Sequence, residues 1–378
     1  MLIKIVTLVT SGLMLSYAGL INAAPTITGE PVIVQHLGKI DWPQDDDQST
    51  PYLTQLSAND VNDLHGDVSC DLIISTPGNY HMALRDAMKG NADLGMPVGL
   101  QEQVAALKVT VCWSTSPPVG PEQIEAESLE FKNIKVLGRP ALVVGPGKVM
   151  DKLVADGQVD VATRQVFLQN KGNVMLVRAD KRAEINNVCD LNGKRIVTPN
   201  PGLEPGSFGN FSNTIFNVAA ANTALGCDAA ALFESIFNQN VAAIDTSAFA
   251  NPYDIAAVQS VFTSGVVKWV ASSRIMHRDV PYALCHDQAD AGVIFFHQAE
   301  YLKDTLGATG CDLEIVNLDG STGASELVAG NRIGKLHIAK VIGNYNVKVT
   351  EARDLIYDFL ATSPVWGAIL THYGMVQP

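Results

Sequence analysis

Residues Cys189–Asn210 read CDLNGKRIVTPNPGLEPGSFGN, and the order of residue types in this stretch decides the fold class. Arg195–Thr198 is apolar and β-branched, the character of a buried strand. Pro199, Pro201, Gly202, Pro205 and Gly206 follow in a loop with little freedom. Beyond Ser207 and Gly209, residues Phe211, Ile215, Phe216, Val218 and Ala219 fall near helical spacing. Strand, rigid loop and helix start make one α/β unit. A helix start carries unpaired backbone N–H groups and the positive end of the macrodipole. Gly206 has no side chain to hold a ligand away from those donors, and Ser207 adds a hydroxyl. The pattern suits an anion without using a formal positive charge.

The same rhythm extends in both directions. Upstream, Asp71–Ser75 (DLIIS) is a buried parallel strand, followed by the turn Thr76-Pro77-Gly78-Asn79. Asn79 is a good N-cap for a helix over Tyr80–Met88. Lys108–Trp113 is a second strand, with Ser114-Thr115-Ser116 behind it and a helical segment over Gln123–Leu129. Apolar pieces at Asn133–Leu137 and Ala141–Val144 lead into an amphipathic helix over Val149–Asp156. Asn173–Arg178 is a further strand.

Downstream, Ala220–Ile236 reads as helical and Val266–Ala271 as a strand. Val280–Cys285 begins a helix, Ala291–Phe296 is a strongly apolar strand, and Cys311–Leu318 is another. Asp319–Gly334 reads as a Gly-rich loop and Lys335–Ile342 as a strand. Helices over Val349–Leu360 and Val365–His372 close the chain. Alternating strands and helices give an α/β fold with a parallel sheet, whose ligands sit at the carboxyl ends of strands. Gly145-Pro146-Gly147-Lys148 is not a phosphate loop: that pattern needs Gly at 142 and Ser or Thr at 149, where the chain has Leu142 and Val149.

The 378 residues and 47% apolar content allow two domains with sizeable cores. Residues 1–23 read as a secretory signal, with Lys4 as the charged end, an apolar run over Ile5–Leu20 and small residues near Ala23. The expected product is exported to the periplasm and not membrane-embedded. Residues 24–65 read as an N-terminal extension. Pro31–Val34 in it has strand character, and Asp45, Asp46 and Asp47 lack the spacing of a calcium loop. The formal net charge is −13 and Lys and Arg form no basic run, which argues against nucleic acid and against anionic membrane surfaces as partners.

The six cysteines of an exported chain point to disulfides. Pairing of neighbours in order is expected: Cys70–Cys112, Cys189–Cys227 and Cys285–Cys311. Metal ligation and free thiols are the alternatives, and the lack of any CxxC speaks against zinc.

Four segments taken in order carry a resemblance. They are MDKLVADGQVDVATRQVFLQNKGNVMLVR (Met150–Arg178), DLNGKRIVTPNPGLEPGSFG (Asp190–Gly209), ADAGVIFFHQAEYL (Ala289–Leu302), and EARDLIYDFL with the later AILTHYGM (Glu351–Leu360 and Ala368–Met375). In this order and spacing they resemble the periplasmic molybdate-binding proteins. More broadly they resemble the oxyanion-binding branch of the solute-binding proteins of ABC importers. The likeness runs from about residue 140 to the end, thins over 66–139 and is absent over 25–65.

The resemblance implies two α/β lobes, each a mostly parallel sheet flanked by helices, with the ligand in the cleft between them. Lobe one would hold 66–172 and the return over 316–378, and lobe two 173–315. The implied partners are a small anionic ligand, molybdate-like first, and an inner-membrane ABC permease. The implied protein is a monomer with no cofactor, no metal and no catalytic residue.

Carried onto this chain, the first hydroxyl position falls at Thr76 to Asn79, with Asn79 the best match, and the second at Ser114 to Ser116. The small residue after Pro is Gly206, and a backbone donor falls near His277. The family's tyrosine is Phe295 here, and its Gly-Ser-Asp is Phe296-His297-Gln298. A missing phenol removes a hydrogen bond to a charged ligand worth roughly 1.5–3 kcal/mol, for which His277, Arg278 or His297 would have to compensate. Two other classes share this fold. One is a sensing module that presents its closed form to a receptor. The other is an enzyme, for which the chain offers neither GxSxG nor HExxH.

Overall fold

The computed structural model describes the backbone of residues 26–28, and residues 64–67, 70–115, 119–131, 134–199, 205–237, 277, 280–285, 287, 289–308 and 310–378. The strands are β1 (Thr26–Thr28), β2 (Leu64–Gly66), β3 (Leu72–Ser75), β4 (Val111–Ser114), β5 (Ser128–Phe131), β6 (Ile134–Leu137), β7 (Leu142–Pro146), β8 (Gln165–Gln169), β9 (Asn173–Arg178), β10 (Ile196–Val197), β11 (Ala291–Phe295), β12 (Leu313–Val316) and β13 (Lys335–Lys340). The helices are α1 (His81–Lys89), α2 (Leu100–Ala106), α3 (Pro121–Glu125), α4 (Gly147–Ala155), α5 (Pro205–Ala221), α6 (Ala229–Phe237), α7 (Val280–Cys285), α8 (Phe296–Gly307), α9 (Val347–Thr362) and α10 (Pro364–His372).

Two main sheets form two α/β lobes. The first has six strands in the order β2-β4-β3-β7-β13-β8, the second four in the order β10-β11-β9-β12. Each sheet is mixed. In the first, β4, β3 and β7 are parallel, while β2 and β13 run against their neighbours. In the second, β10 and β11 are parallel and β9 runs against β11 and β12. Of the antiparallel members, β9 and β13 flank the places where the chain passes from one lobe to the other.

Both sheets are covered on both faces, so their strands read as continuous apolar runs. Ile74, Val111, Trp113 and Leu142 face one core, and Ile73, Cys112 and Val143 the other. In the second lobe Met175, Val177 and Val293 oppose Val174, Leu176 and Ile294.

The chain crosses between the sheets twice, after β8 and before β13, and two asparagines tie the crossings together. Asn170 Oδ1 accepts from Gly334 N–H at 2.7 Å and Gly172 N–H at 3.0 Å. Asn331 Oδ1 accepts from Asn173 N–H, and its Nδ2 donates to the Asn173 carbonyl, both at 2.9 Å. Gly172 lies at φ +83°, and a Cβ there would come within 2.7 Å of the Asn331 side chain, so the turn requires glycine.

Several sequence expectations change. The helix expected over Gln123–Leu129 ends at Glu125, and Leu129 lies in β5. Glu127 turns the chain at φ 49° and its carbonyl accepts from Gly138 N–H, which closes a β5–β6 hairpin. The helix expected over Ala220–Ile236 is two helices. Asn222 Nδ2 takes the Val218 and Ala329 carbonyls, Gly226 turns at φ +81°, and Asp228 Oδ1 accepts from Ala231 N–H as the next helix begins. Strand β8 has only a weak sequence signal, the three-residue apolar run Val166–Leu168 between Gln165 and Gln169.

All three cysteine pairs form in the expected order, with Cα–Cα distances of 5.7, 5.6 and 5.4 Å. From the expected N-terminal extension, Thr26–Thr28 pair with β6 in a separate three-stranded sheet. The signal, Pro31–Val34, Asp45–Asp47 and the Val266–Ala271 strand lie outside the described residues. Among the described residues no helix is long and apolar enough to cross a membrane.

Candidate functional site

Strands β3 and β4 are parallel neighbours, so their carboxyl ends and the loops behind them lie side by side. There Thr76 and Ser114 bond one another. Thr76 N–H donates to Ser114 Oγ at 2.8 Å, Ser114 Oγ–H donates to the Thr76 carbonyl at 2.9 Å, and Thr76 Oγ1–H donates to the Ser114 carbonyl at 2.5 Å. Each hydroxyl has one proton, and both protons are committed to backbone. The pair fastens the two loops together. Ser75, at the end of β3, is fully buried and its Oγ has no partner. Ser116 lies outside the described residues.

Asn79 does not cap the following helix. A 3₁₀ turn over Gly78–Tyr80 intervenes, and the N-cap of α1 is Tyr80, with no side-chain bond. Gly78 lets that turn sit against β4's loop: a Cβ there would lie 2.3 Å from the Thr115 carbonyl oxygen. Asn79 Oδ1 is left buried without a partner, while the Asn79 carbonyl is reached by His297 Nε2 at 2.5 Å.

On the second lobe, Thr198 follows β10, is buried and has an unpartnered Oγ1. Helix α5 then begins at Pro205. Gly206 is exposed, with open space where a Cβ would stand, and Ser207 is half-buried beside it. The α5 residues Phe208, Phe211, Ile215 and Phe216 are in the core. Ser212 on the second turn is buried and unpartnered. Asn173, at the start of β9, donates to Thr214 Oγ1 at 2.8 Å and accepts from Asn210 Nδ2 at 3.3 Å, which fixes α5 to the crossing.

Phe295 ends β11 and is buried. Phe211 meets it edge-on at 4.9 Å, His277 edge-on at 6.0 Å, and His297 stacks on it at 5.6 Å. Arg278 lies outside the described residues. His297 and Gln298 form the first turn of α8, and both are fully buried. The Asn79 carbonyl can only accept, so His297 carries its proton on Nε2. Burial, with a smaller contribution from His277, lowers the imidazole pKa to about 4 against the pull of the carbonyl. The ring is neutral at pH 7, and its Nδ1 is a buried acceptor without a partner. Both amide atoms of Gln298 are likewise unpartnered.

Buried, unpartnered side-chain atoms occur in both lobes, and His297 and Asn79 are in contact across the seam. Ser75 and Asn79 come from one lobe, and Thr198, Ser212, His297 and Gln298 from the other. None is charged. Of the expected contacts, Asn79 meets His297, Phe295 lies against the rings of both His277 and His297, and Gly206 and Ser207 present a helix start. Thr76 and Ser114 turn to each other. Ser75, Thr198, Ser212 and Gln298 were not singled out from sequence. Ser75 and Thr198 share a signal that was available: a hydroxyl residue ending a short apolar strand, in DLIIS and RIVT.

Two α/β lobes are joined by two crossings. No protein-family model matches the chain, and no curated protein matches it. Several solved structures align with it at low similarity. Peb3 from Campylobacter jejuni aligns at 13% identity over 82% of this chain and 100% of that one, with a TM-score of 0.43. The sulfate-binding protein SubI from Mycobacterium tuberculosis aligns at 15% over 80% and 85%, TM-score 0.45. A substrate-binding domain provisionally assigned to a molybdenum ABC transporter of Clostridium difficile aligns at 13% over 81% and 98%, TM-score 0.41.

Proposed function

We propose that this protein is a periplasmic solute-binding protein that captures a small anion between its lobes and delivers it to an inner-membrane ABC permease. The observation that carries the reading is that both lobes hold buried, unpartnered, uncharged polar side chains, Ser75 and Asn79 on one side and Thr198, Ser212, His297 and Gln298 on the other, with His297 and Asn79 in contact between them. Each such group costs about 1–3 kcal/mol when left unsatisfied, and a ligand bridging the lobes would satisfy groups from both. Gly206 and Ser207 would add backbone donors at the α5 start, where the dipole favours negative charge. Thr76 and Ser114 would hold the β3 and β4 loops in place, and Ser116 and His277 complete the expected contacts.

Binding then works by closure. A ligand that touches both lobes selects the closed state, and the crossings at Asn170 and Asn331 take up the rotation. No covalent step is needed. Molybdate is the ligand the sequence resemblance implies, and the missing phenol at Phe295 is the reason to test others beside it.

The test is thermal unfolding of the dialysed protein against molybdate, tungstate, sulfate, phosphate and organic acids. A bound ligand at about 100 times its Kd adds roughly 2.7 kcal/mol, which raises Tm by about 2–4 °C per kcal/mol for domains of this size. A shift with at least one anion is expected. No shift with any of them would remove the anion reading.

A further inference from the structure

Helix α8 belongs to lobe two, where Ala299, Leu302 and Leu306 seat it in the core. Phe296, His297, Glu300 and Tyr301 form a stripe on it at helical spacing, and this stripe meets lobe one. We infer that the stripe is a latch: the Tyr301 ring, held in a socket of lobe-one side chains, favours the closed lobes before any ligand arrives. This rests on the closure reading above and not on the identity of the ligand.

The socket is built from two places in lobe one. His81, at the start of α1, meets the Tyr301 ring edge-on at 6.1 Å, and Tyr373, just after α10, meets it edge-on at 5.8 Å. Arg85, one turn along α1 from His81, donates from Nη1 to the Tyr301 hydroxyl at 3.4 Å. Asp86 holds the socket together, accepting from Arg85 Nε at 3.2 Å and from the Tyr373 hydroxyl at 2.7 Å. Tyr301 packs against the cores of both lobes at once. Beside it the chain at Gly374 runs close under α8: a Cβ there would lie 2.6 Å from Glu300 Oε2 and 3.1 Å from Phe296 Cε1.

Helix α8 starts at the crossing, where Phe296 N–H donates to the Gly172 carbonyl at 3.0 Å. Tyr301 lies about 7.5 Å further along the helix axis. A rotation of the lobes about the crossings therefore moves Tyr301 relative to His81 and Tyr373, and opening draws the ring out of its socket. Edge-on aromatic pairs favour contact beyond the area they bury. The latch thus raises the closed fraction, and apparent ligand affinity rises with that fraction.

The experiment is hydrogen exchange, read by mass spectrometry, on the dialysed wild type, Tyr301→Ala and Tyr301→Phe. Exchange at the interface reports how often it opens. Tyr301→Ala should speed exchange about tenfold, and by the same factor in residues 78–85 and 296–302, because one opening exposes both. Residues 173–178 of β9 should keep their wild-type rate, and Tyr301→Phe, which keeps the ring, should stay close to wild type. Gly374→Asn is an independent wedge. Asparagine tolerates the φ of +69° at this position, and its side chain would press on Glu300 and Phe296, so both segments should again accelerate together.

Faster exchange in 296–302 alone would mean that α8 frays within its own lobe. Unchanged exchange in 78–85 would mean that Tyr301 does not hold the lobes. Either result overturns the latch and leaves the anion reading to the ligand panel. If Tyr301→Ala fails to fold, Gly374→Asn decides by the same criterion.

Discussion

His297 is a residue whose chemistry is set by two lobes at once. Its Nε2 donates to a carbonyl 218 residues away in sequence, and its ring is stacked and fully buried. The unfolded chain takes up this proton near pH 6.5, the folded chain only near pH 4. Below about pH 6.5 protons therefore favour the unfolded chain. The contribution of the neutral, buried imidazole is complete above that pH and is lost as pH falls to about 4. A difference of this size corresponds to roughly 3 kcal/mol across the window. Urea midpoints of the wild type and His297→Gln, measured from pH 7.5 to 4.5, should diverge in slope, with the wild type losing more stability toward acid. Parallel curves would mean that the ring titrates as an ordinary histidine. His337, also lowered by burial, adds a slope of the same sign to both proteins and cancels in the comparison.

Elements carry the next two predictions. Asn331 satisfies both backbone groups of Asn173 where β9 begins, and its Nδ2 also donates to the Ser325 carbonyl. Asn331→Ala leaves the Asn173 N–H and carbonyl without those partners, and at about 1–3 kcal/mol per group the loss should be roughly 2–6 kcal/mol, read as a lower Tm. A variant within a fraction of a degree of wild type would show that water replaces the asparagine. The disulfides close loops with sequence separations of 42, 38 and 26 residues. Cys70–Cys112 ties the lead-in of β3 to β4, so Cys70→Ala with Cys112→Ala should cost on the order of 2–4 kcal/mol. An unaltered denaturation midpoint for that double variant would argue that the sheet alone holds these strands.

What was legible in the sequence follows the same division. Strands buried on both faces, helix faces and the neighbour-wise cysteine pairs are local patterns, and DLIIS, NVMLVR and AGVIF all became strands. The turn that takes Asn79 away from its expected capping role, the Ser114–Thr76 pair and the asparagine straps are not legible. Each depends on a contact between segments far apart in the chain, and Asn, Ser and Thr have too many local uses to declare a distant one.

At the scale of the whole molecule, the formal charge of −13 opposes the arrival of an anion, while the seam groups are neutral and act only at contact. The long-range field and the local site therefore pull in opposite directions, and salt separates them. Raising ionic strength from about 0.01 M to 0.15 M shortens the Debye length from roughly 30 to 8 Å. That screens the repulsion during approach and leaves the buried contacts nearly untouched. For an anionic ligand, the association rate should rise several-fold over this range while the dissociation rate stays almost constant. The tryptophans Trp113 and Trp366, buried in the first lobe, offer a stopped-flow fluorescence signal for closure. An association rate indifferent to salt would indicate an uncharged ligand. A rate that falls with salt would require a positive potential at the cleft mouth strong enough to overcome the net charge, and would move the search for ligand contacts from the neutral seam to arginine and lysine side chains around it.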